Sequence, residues 1–211
     1  MRSEVTIHVV DDDADFRASL VRLLAVLGYT AREYGDGRAF ADVAPGLSDG
    51  CALVDVCMPD LDGLTLQQEL AERGAGIPII IVTGHGDVPM AVRAMKAGAA
   101  DFLQKPFTPA DLRASIESSL QRWPAATLTN ADPEVIAFMT HLETLTGRER
   151  EVLEGIVAGH PTKIIAYRLG ISTRTIDVHR ASITEKLRVR GLPNLVRLAL
   201  AAGVRGAPYG G

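Results

Sequence analysis

Between Val5 and Arg122 short runs of β-branched residues alternate with longer amphipathic segments, and the alternation occurs five times. The runs that read most clearly as strands are Val5 to Val10, the segment ending Leu53-Val54, Ile77 to Val82, and Ala99 to Leu103. The intervening segments, Asp13 to Leu27, Asp36 to Val43, Gly63 to Arg73, Asp87 to Ala97 and Thr108 to Arg122, carry helical periodicity, with Asp13, Asp87 and Thr108 as N-caps. Strict strand-helix alternation predicts an α/β fold with a doubly wound, five-stranded parallel sheet. Leu53-Val54 and Ile79 to Val82 are apolar at successive positions, as strands covered by helices on both faces must be. Gly28, Gly74 or Gly76, and Gly98 fall just past helices, where a left-handed cap is needed.

After Arg122 the strand signal does not return. A linker is expected over 124–141, containing a short helix that opens near Pro133. The rest reads as a small all-α module of four helices over 142–205. Thr146-Gly147-Arg148-Glu149 is a capping box that starts the first, to about Ala158, and Thr162 caps the second, which stops at Gly170. Ser172 or Thr173 caps the third, and Gly191-Leu192-Pro193 opens the fourth. The first domain is placed at 1–123, and 206–211 is read as a disordered tail.

Polar groups with chemical potential recur where the apolar runs stop. The first run ends in Asp11-Asp12-Asp13, the run through Leu53-Val54 ends in Asp55, the next ends in Thr83-Gly84, and the last runs into Gln104-Lys105-Pro106. In open α/β sheets the carboxyl edge of the strands is where ligands bind. Aspartates, a hydroxyl and an ammonium converging there outline a divalent-metal and phosphoryl site. Asp55 is the candidate nucleophile, since a carboxylate can accept a phosphoryl group as an acyl phosphate. Asp12, Asp55 and the backbone carbonyl of Cys57 are candidate ligands for Mg²⁺, with Asp11 acting directly or through water. Lys105 supplies a compact charge for phosphate oxygens, Thr83 a hydroxyl donor, and Gly84 room for the group to approach. Asp13 is the helix cap rather than a ligand.

Val9-Val10-Asp11-Asp12, Asp55 with Met58-Pro59 and Asp62-Gly63, Thr83-Gly84, and Lys105-Pro106-Phe107 resemble the receiver domain of two-component response regulators over residues 4–122. The resemblance implies a flavodoxin-like receiver whose phosphoryl donor is a sensor histidine kinase, with Mg²⁺ as cofactor. It further implies that Phe102, three residues before Lys105, acts with Thr83 as a two-position switch. The protein is then a phosphoacceptor regulator and not an enzyme in its own right. A Mg²⁺-dependent phosphohydrolase with an aspartyl nucleophile is disfavoured, because such enzymes carry a second acid two residues after the nucleophile, and position 57 is cysteine.

Charge changes the picture for the C-terminal module. The formal net charge of −4 conceals an asymmetry, with 11 basic against 18 acidic residues over 1–123 and 9 basic against 2 acidic over 160–211. A basic module suggests a polyanionic partner. Lys163 to Leu169, the turn Gly170-Ile171-Ser172, and the helix from Thr173 have the spacing of a DNA-binding helix-turn-helix. Ile176, Ile183 and Leu187 share one face of the second helix and belong in the core; Arg174, Val178, Ala181 and Glu185 lie opposite, with Asp177 and Ser182 flanking them. Val178 suits thymine methyls and Arg174 suits guanine or phosphate. Lys163, Arg180 and Lys186 suit phosphates, and Thr175 and His179 complete the candidate DNA-contacting set.

Leu145 to Leu153 together with Ile183 to Leu187 resemble the output domain of LuxR-type regulators. Receiver plus this output is the arrangement of the NarL/FixJ family, nearest its FixJ branch. That implies a phosphorylation-dependent transcriptional regulator in which modification of Asp55 promotes receiver homodimerisation and frees the helix-turn-helix domain for promoter DNA and contact with RNA polymerase. No run reaches membrane-spanning length and the N-terminus lacks a signal-peptide pattern, so a cytoplasmic protein without membrane association is expected. Cys51 and Cys57, roughly 20 Å apart if extended, are read as reduced thiols.

Overall fold

A computed structural model of the chain describes residues 5–84, 87–123 and 132–206. Five parallel strands, β1 (Thr6–Val10), β2 (Thr30–Tyr34), β3 (Cys51–Asp55), β4 (Ile79–Thr83) and β5 (Asp101–Gln104), form one sheet in the order β2-β1-β3-β4-β5. The helices between and after them are α1 (Ala14–Val26), α2 (Gly37–Val43), α3 (Gly63–Glu72), α4 (Val88–Lys96) and α5 (Pro109–Gln121), with one 3-10 turn at Ala44–Gly46. Strand order reverses beside β1, and β1 and β3 pair directly from Ile7–Cys51 to Val10–Val54. Asp11 and Asp55 thereby end adjacent strands at the same sheet edge.

Alternation along the strands divides the core by face. Ile7, Val9, Leu53, Ile80, Val82 and Leu103 pack with Leu20 and Leu24 of α1 and Leu112 and Ile116 of α5. On the other face His8 meets Phe40 of α2, ring centroids 5.8 Å apart, and its Nδ1 lies 3.1 Å from the Tyr34 hydroxyl. Side-chain caps start the helices as their sequences dictate. Asp13 accepts from Asp15 and Phe16, Asp87 from Met90, and Thr108 forms a capping box with Asp111. Gly28, Gly74 and Gly98 adopt positive φ, which settles the choice between Gly74 and Gly76.

The C-terminal helices are α6 (Pro133–Leu142), α7 (Gly147–Ala158), α8 (Thr162–Leu169), α9 (Thr173–Lys186) and α10 (Gly191–Ala201). The capping box at Thr146 and Glu149 is present, and Ser172 caps α9 by accepting from Thr175. Thr162 is the first residue of α8 rather than its cap; Pro161 holds the cap position, and its carbonyl accepts from Ile164 and Ile165. Val152, Leu153, Ile156, Ile165, Ile176, Ile183, Leu195 and Val196 form a buried interior.

By compactness the chain falls into residues 1–86 with 97–126 and residues 87–96 with 127–211. Two elements thus stand differently from the expectation of 1–123, 124–141 and 142–205. The α4 helix, with Val88, Ala91, Val92, Ala94 and Met95 all buried, groups with the second unit. The α6 helix is no mere spacer: Val135 and Phe138 are buried and Glu134 binds Arg197 of α10 at 2.8 Å. Residues 124–131 of the expected linker lie outside the described residues. Of the expected tail, Gly206 is placed so close to α7 that a Cβ would stand 2.5 Å from Ala158 Cα, while 207–211 lie outside the described residues.

Gly63 joins the fold to the chemistry. Its N–H donates to Val56 at 3.0 Å, and a Cβ there would stand 2.2 Å from the backbone oxygen of Asp55. Gly63→Ala must therefore push α3 and the end of β3 apart, at a cost of about 2 kcal/mol. Urea unfolding of the two proteins measures it, and an unchanged midpoint would contradict the close approach.

Candidate phosphoryl site and nucleic-acid interface

Three of the sequence-predicted residues meet at the sheet edge. Lys105 Nζ lies 2.8 Å from Asp11 Oδ2 and 2.8 Å from Asp55 Oδ1. Both carboxylates are nearly enclosed, Asp11 at 3% and Asp55 at 7% exposure. The second oxygen of Asp55 accepts from the Cys57 N–H at 2.6 Å, and Asp11 Oδ1 accepts from the Asp13 N–H at 2.9 Å. Burial pushes the Asp11 carboxyl up despite the hydrogen bond from Lys105, and Lys105 is held above the ordinary lysine value because the two carboxylates outweigh its own burial.

The remaining residues frame this triad. Thr83 ends β4 fully buried, and its carbonyl accepts from the Lys105 N–H at 2.8 Å. Gly84 faces open space: a Cβ there would meet nothing within 4 Å. The register pairs Phe102 with Ile81 and Gln104 with Thr83, so Phe102 and Thr83 share a sheet face, and Phe102 is buried. Asp12, next in the chain to the buried Asp11, is exposed, and Asp13 caps α1 as expected. Cys57 is exposed. Arg17, which the sequence did not single out, donates to the Asp11 carbonyl at 2.6 Å and fixes the turn out of β1.

The donor set suits a hard cation, since Asp11, Asp55 and the exposed Asp12 offer oxygen ligands only. Among the described residues no three acidic, histidine or cysteine side chains already form a metal cluster. Lys105 stands as the counter-charge of the two enclosed acids instead.

In the helical unit α8 and α9 are joined through Gly170, at φ 65°, as the helix-turn-helix spacing requires. Ile176, Ile183 and Leu187 are buried, whereas Arg174, Asp177, Ala181 and Lys163 are exposed and Val178 is 63% exposed. Thr175, His179 and Arg180 are half-buried; Thr175 Oγ1 is 2.8 Å from Ser172, and Arg180 contacts Asp177 at 3.5 Å. Lys186 differs from a free surface cation because its ammonium binds Glu149 at 2.7 Å.

Glu149 was legible only as a helix cap. The folded chain gives it a second task, for it also accepts from the Ser182 hydroxyl at 2.6 Å and so ties the start of α7 to α9. Burial would raise its pKa, but the hydrogen bonds from Lys186, Ser182 and Thr146 prevail and hold it at about 2.

Comparison with known proteins agrees with both halves. Residues 7–117 match the response regulator receiver domain, and residues 143–199 match the bacterial regulatory proteins of the luxR family. The chain is 43% identical over 201 residues to the transcriptional regulatory protein FixJ of Rhizobium meliloti, covering 95% of this chain and 98% of that one. The chain belongs to the response regulators that carry a receiver and a LuxR-type DNA-binding domain. Among solved structures, full-length FixJ from B. japonicum aligns with a TM-score of 0.55 at 44% identity, over 95% of this chain and 98% of that one. The receiver domain of a Pseudomonas aeruginosa sensor histidine kinase, with a magnesium ion coordinated in its active-site cleft, aligns at 26% identity and a TM-score of 0.52, over 56% of this chain and 99% of that one.

The fold and family expectations from sequence therefore hold. This regulator is a phosphorylation-dependent, DNA-binding transcription factor of a two-component system; its receiver implies a cognate histidine kinase. Among the described residues no helix is long and apolar enough to cross a membrane.

The Glu149 contact yields a pH test. Its folded pKa of about 2 lies below the ordinary 4.5, so its contribution is complete above about pH 4.5 and is lost as pH falls through about 2. Glu149→Ala leaves the Lys186 ammonium without its carboxylate and should cost about 3 kcal/mol at pH 7. The gap between wild type and Glu149→Gln in urea should narrow as pH is lowered toward 2; a gap independent of pH would refute the ion pair.

Proposed function

We propose that Asp55 is the phosphoacceptor. The observation that carries this reading is the Lys105 ammonium set 2.8 Å from both Asp55 and Asp11 at the carboxyl edge of a receiver sheet. Asp55 Oδ attacks the phosphorus of the donor, the donor's leaving group departs, and an acyl phosphate remains. Asp11, Asp12, Asp55 and the Cys57 carbonyl would hold Mg²⁺, and the bound ion would supply positive charge between the incoming phosphoryl group and the acids. Lys105 and Thr83 bind phosphate oxygens, with Gly84 leaving the approach open, and Phe102 follows Thr83 as the switch.

The output then follows. Phosphorylation drives homodimerisation in the cytoplasm and releases the helical unit, which binds promoter DNA and acts on RNA polymerase. Arg174, Val178 and Ala181 face the groove with Asp177 beside them, Lys163 and Arg180 contact phosphate, and Thr175 and His179 border the contact face. Lys186 keeps a role through Glu149, holding α9 in place, more than as a free phosphate contact.

Treatment with acetyl phosphate and Mg²⁺ should add one phosphoryl group to the wild type by intact mass and none to Asp55→Asn. The same gain on the variant would remove Asp55 from this role. An amide at position 57 would orient a hydrolytic water better than the thiol, so Cys57→Asn should shorten the acyl phosphate's lifetime. The sequence also sets His85, just past Thr83-Gly84, beside that water, and His85 lies outside the described residues.

Val178→Ala should weaken binding at the cognate operator by about 1 kcal/mol with little loss on random DNA, whereas Lys163→Ala should weaken both and lower the salt slope by about one. Titrations of both DNAs at several salt concentrations separate the two, and equal losses for Val178→Ala would exclude base reading.

A further inference from the structure

The Lys105 ammonium has a third neighbour that the phosphoryl chemistry does not use. Its Nζ lies 3.6 Å from the centroid of the Phe16 ring. That distance is well within the range at which a cation is attracted to the face of an aromatic ring. The ring is built into place from two directions. Phe16 belongs to the first turn of α1, where its N–H donates to the capping Asp13 carboxylate at 3.1 Å. It also stands edge-to-face against Phe107, just beyond Lys105 in the chain, with centroids 6.4 Å apart and planes at 86°.

The three contacts of the ammonium behave differently when the site works. Phosphoryl transfer converts a carboxylate oxygen of Asp55 into an acyl phosphate, and Asp11 is wanted by a metal ion. Both carboxylate contacts, each at 2.8 Å, are thus exchanged during the reaction. The ring is uncharged, makes no competing ligand, and keeps its attraction for the ammonium throughout. We propose that Phe16 is a positioning residue for Lys105: its ring holds the ammonium beside Asp55 while the carboxylate partners are given up and phosphate oxygens are taken on. The inference rests on Asp55 being the phosphoacceptor.

Phe16→Leu keeps an apolar side chain but removes the π face, and Phe16→Tyr keeps the face. With acetyl phosphate as donor, the phosphoryl group passes to Asp55 and acetate leaves, and the rate is read by intact mass against time. Phe16→Leu should be phosphorylated about fivefold more slowly than wild type, and Phe16→Tyr should restore the rate. A second readout follows the ammonium itself. The Lys105 Cε protons, assigned by their loss in Lys105→Arg, should resonate upfield in the wild type through the ring current, with and without Mg²⁺, and the shift should collapse in Phe16→Leu. A purely structural role would lower the melting temperature of the leucine variant without changing the rate.

If the wild type gains no phosphoryl group, the Asp55 reading fails and this inference fails with it. If the wild type is phosphorylated and Phe16→Leu reacts at the same rate, or the Lys105 protons show no ring-current shift, the inference alone is overturned.

Discussion

Two carboxylates that are almost wholly enclosed cannot stand side by side without a compensating charge. Here the charge is Lys105, and the topology explains why it must be a long side chain. In the order β2-β1-β3-β4-β5 the acids end adjacent strands, while β5 lies two strands from β3, roughly 10 Å away at ordinary strand spacing. The lysine stem has to return past the end of β4. The small, open position at Gly84 and the Lys105 N–H bonded to the Thr83 carbonyl are consistent with that path. The flexible stem also allows the ammonium to change partners, which a bidentate guanidinium fork would do less readily.

The same kind of contact appears in the helical unit with the opposite consequence. Glu149 receives bonds from the Thr146 N–H and hydroxyl, the Ser182 hydroxyl and the Lys186 ammonium. An ionised carboxylate has about four acceptor sites, so Glu149 is close to saturation. Asp55, among the described residues, receives one bond from Cys57 and one from Lys105. It keeps lone pairs to offer a phosphorus atom or a cation. A saturated acid fastens two helices together, and an unsaturated acid of similar burial is available for chemistry.

This contrast also marks the limit of what the sequence discloses. Caps at Asp13, Thr108, Thr146 and Ser172 are contacts across three residues or fewer, written in residue types at fixed offsets, and they were legible. The strand ends were legible because apolar runs stop at polar residues. The contacts that give these residues their work span 94 positions for Lys105 with Asp11, 50 for Lys105 with Asp55, and 37 for Lys186 with Glu149. The strand-end pattern set Lys105 on one edge with Asp11 and Asp55 and assigned it to phosphate oxygens, without naming the carboxylates as its partners. It did not supply Glu149 with Ser182 and Lys186, Phe16 under Lys105, or Glu134 with Arg197. Each requires knowing how one helix lies on another element. The short helix α6 was assigned to a linker for that reason: its own sequence shows a helix, and the burial of Val135 and Phe138 with the bond from Arg197, 63 residues later, to Glu134 shows that it belongs to the fold.

The anchoring of α9 bears directly on how it can read DNA. A helix of 14 residues would not hold its shape in isolation, so its register in a groove depends on what fixes its inner side. Ile176, Ile183 and Leu187 fix it by burial, and Ser182 and Lys186 fix it by direction through one carboxylate on α7. Apolar contacts resist separation but tolerate small rotations; hydrogen bonds of 2.6 and 2.7 Å to a common acceptor do not. With translation and rotation both set from within, the outer side is released from any structural duty. An exposed Val178 among charged and small neighbours costs the fold little there, and its methyl groups are left at a fixed height above the helix axis, where a base edge can be met.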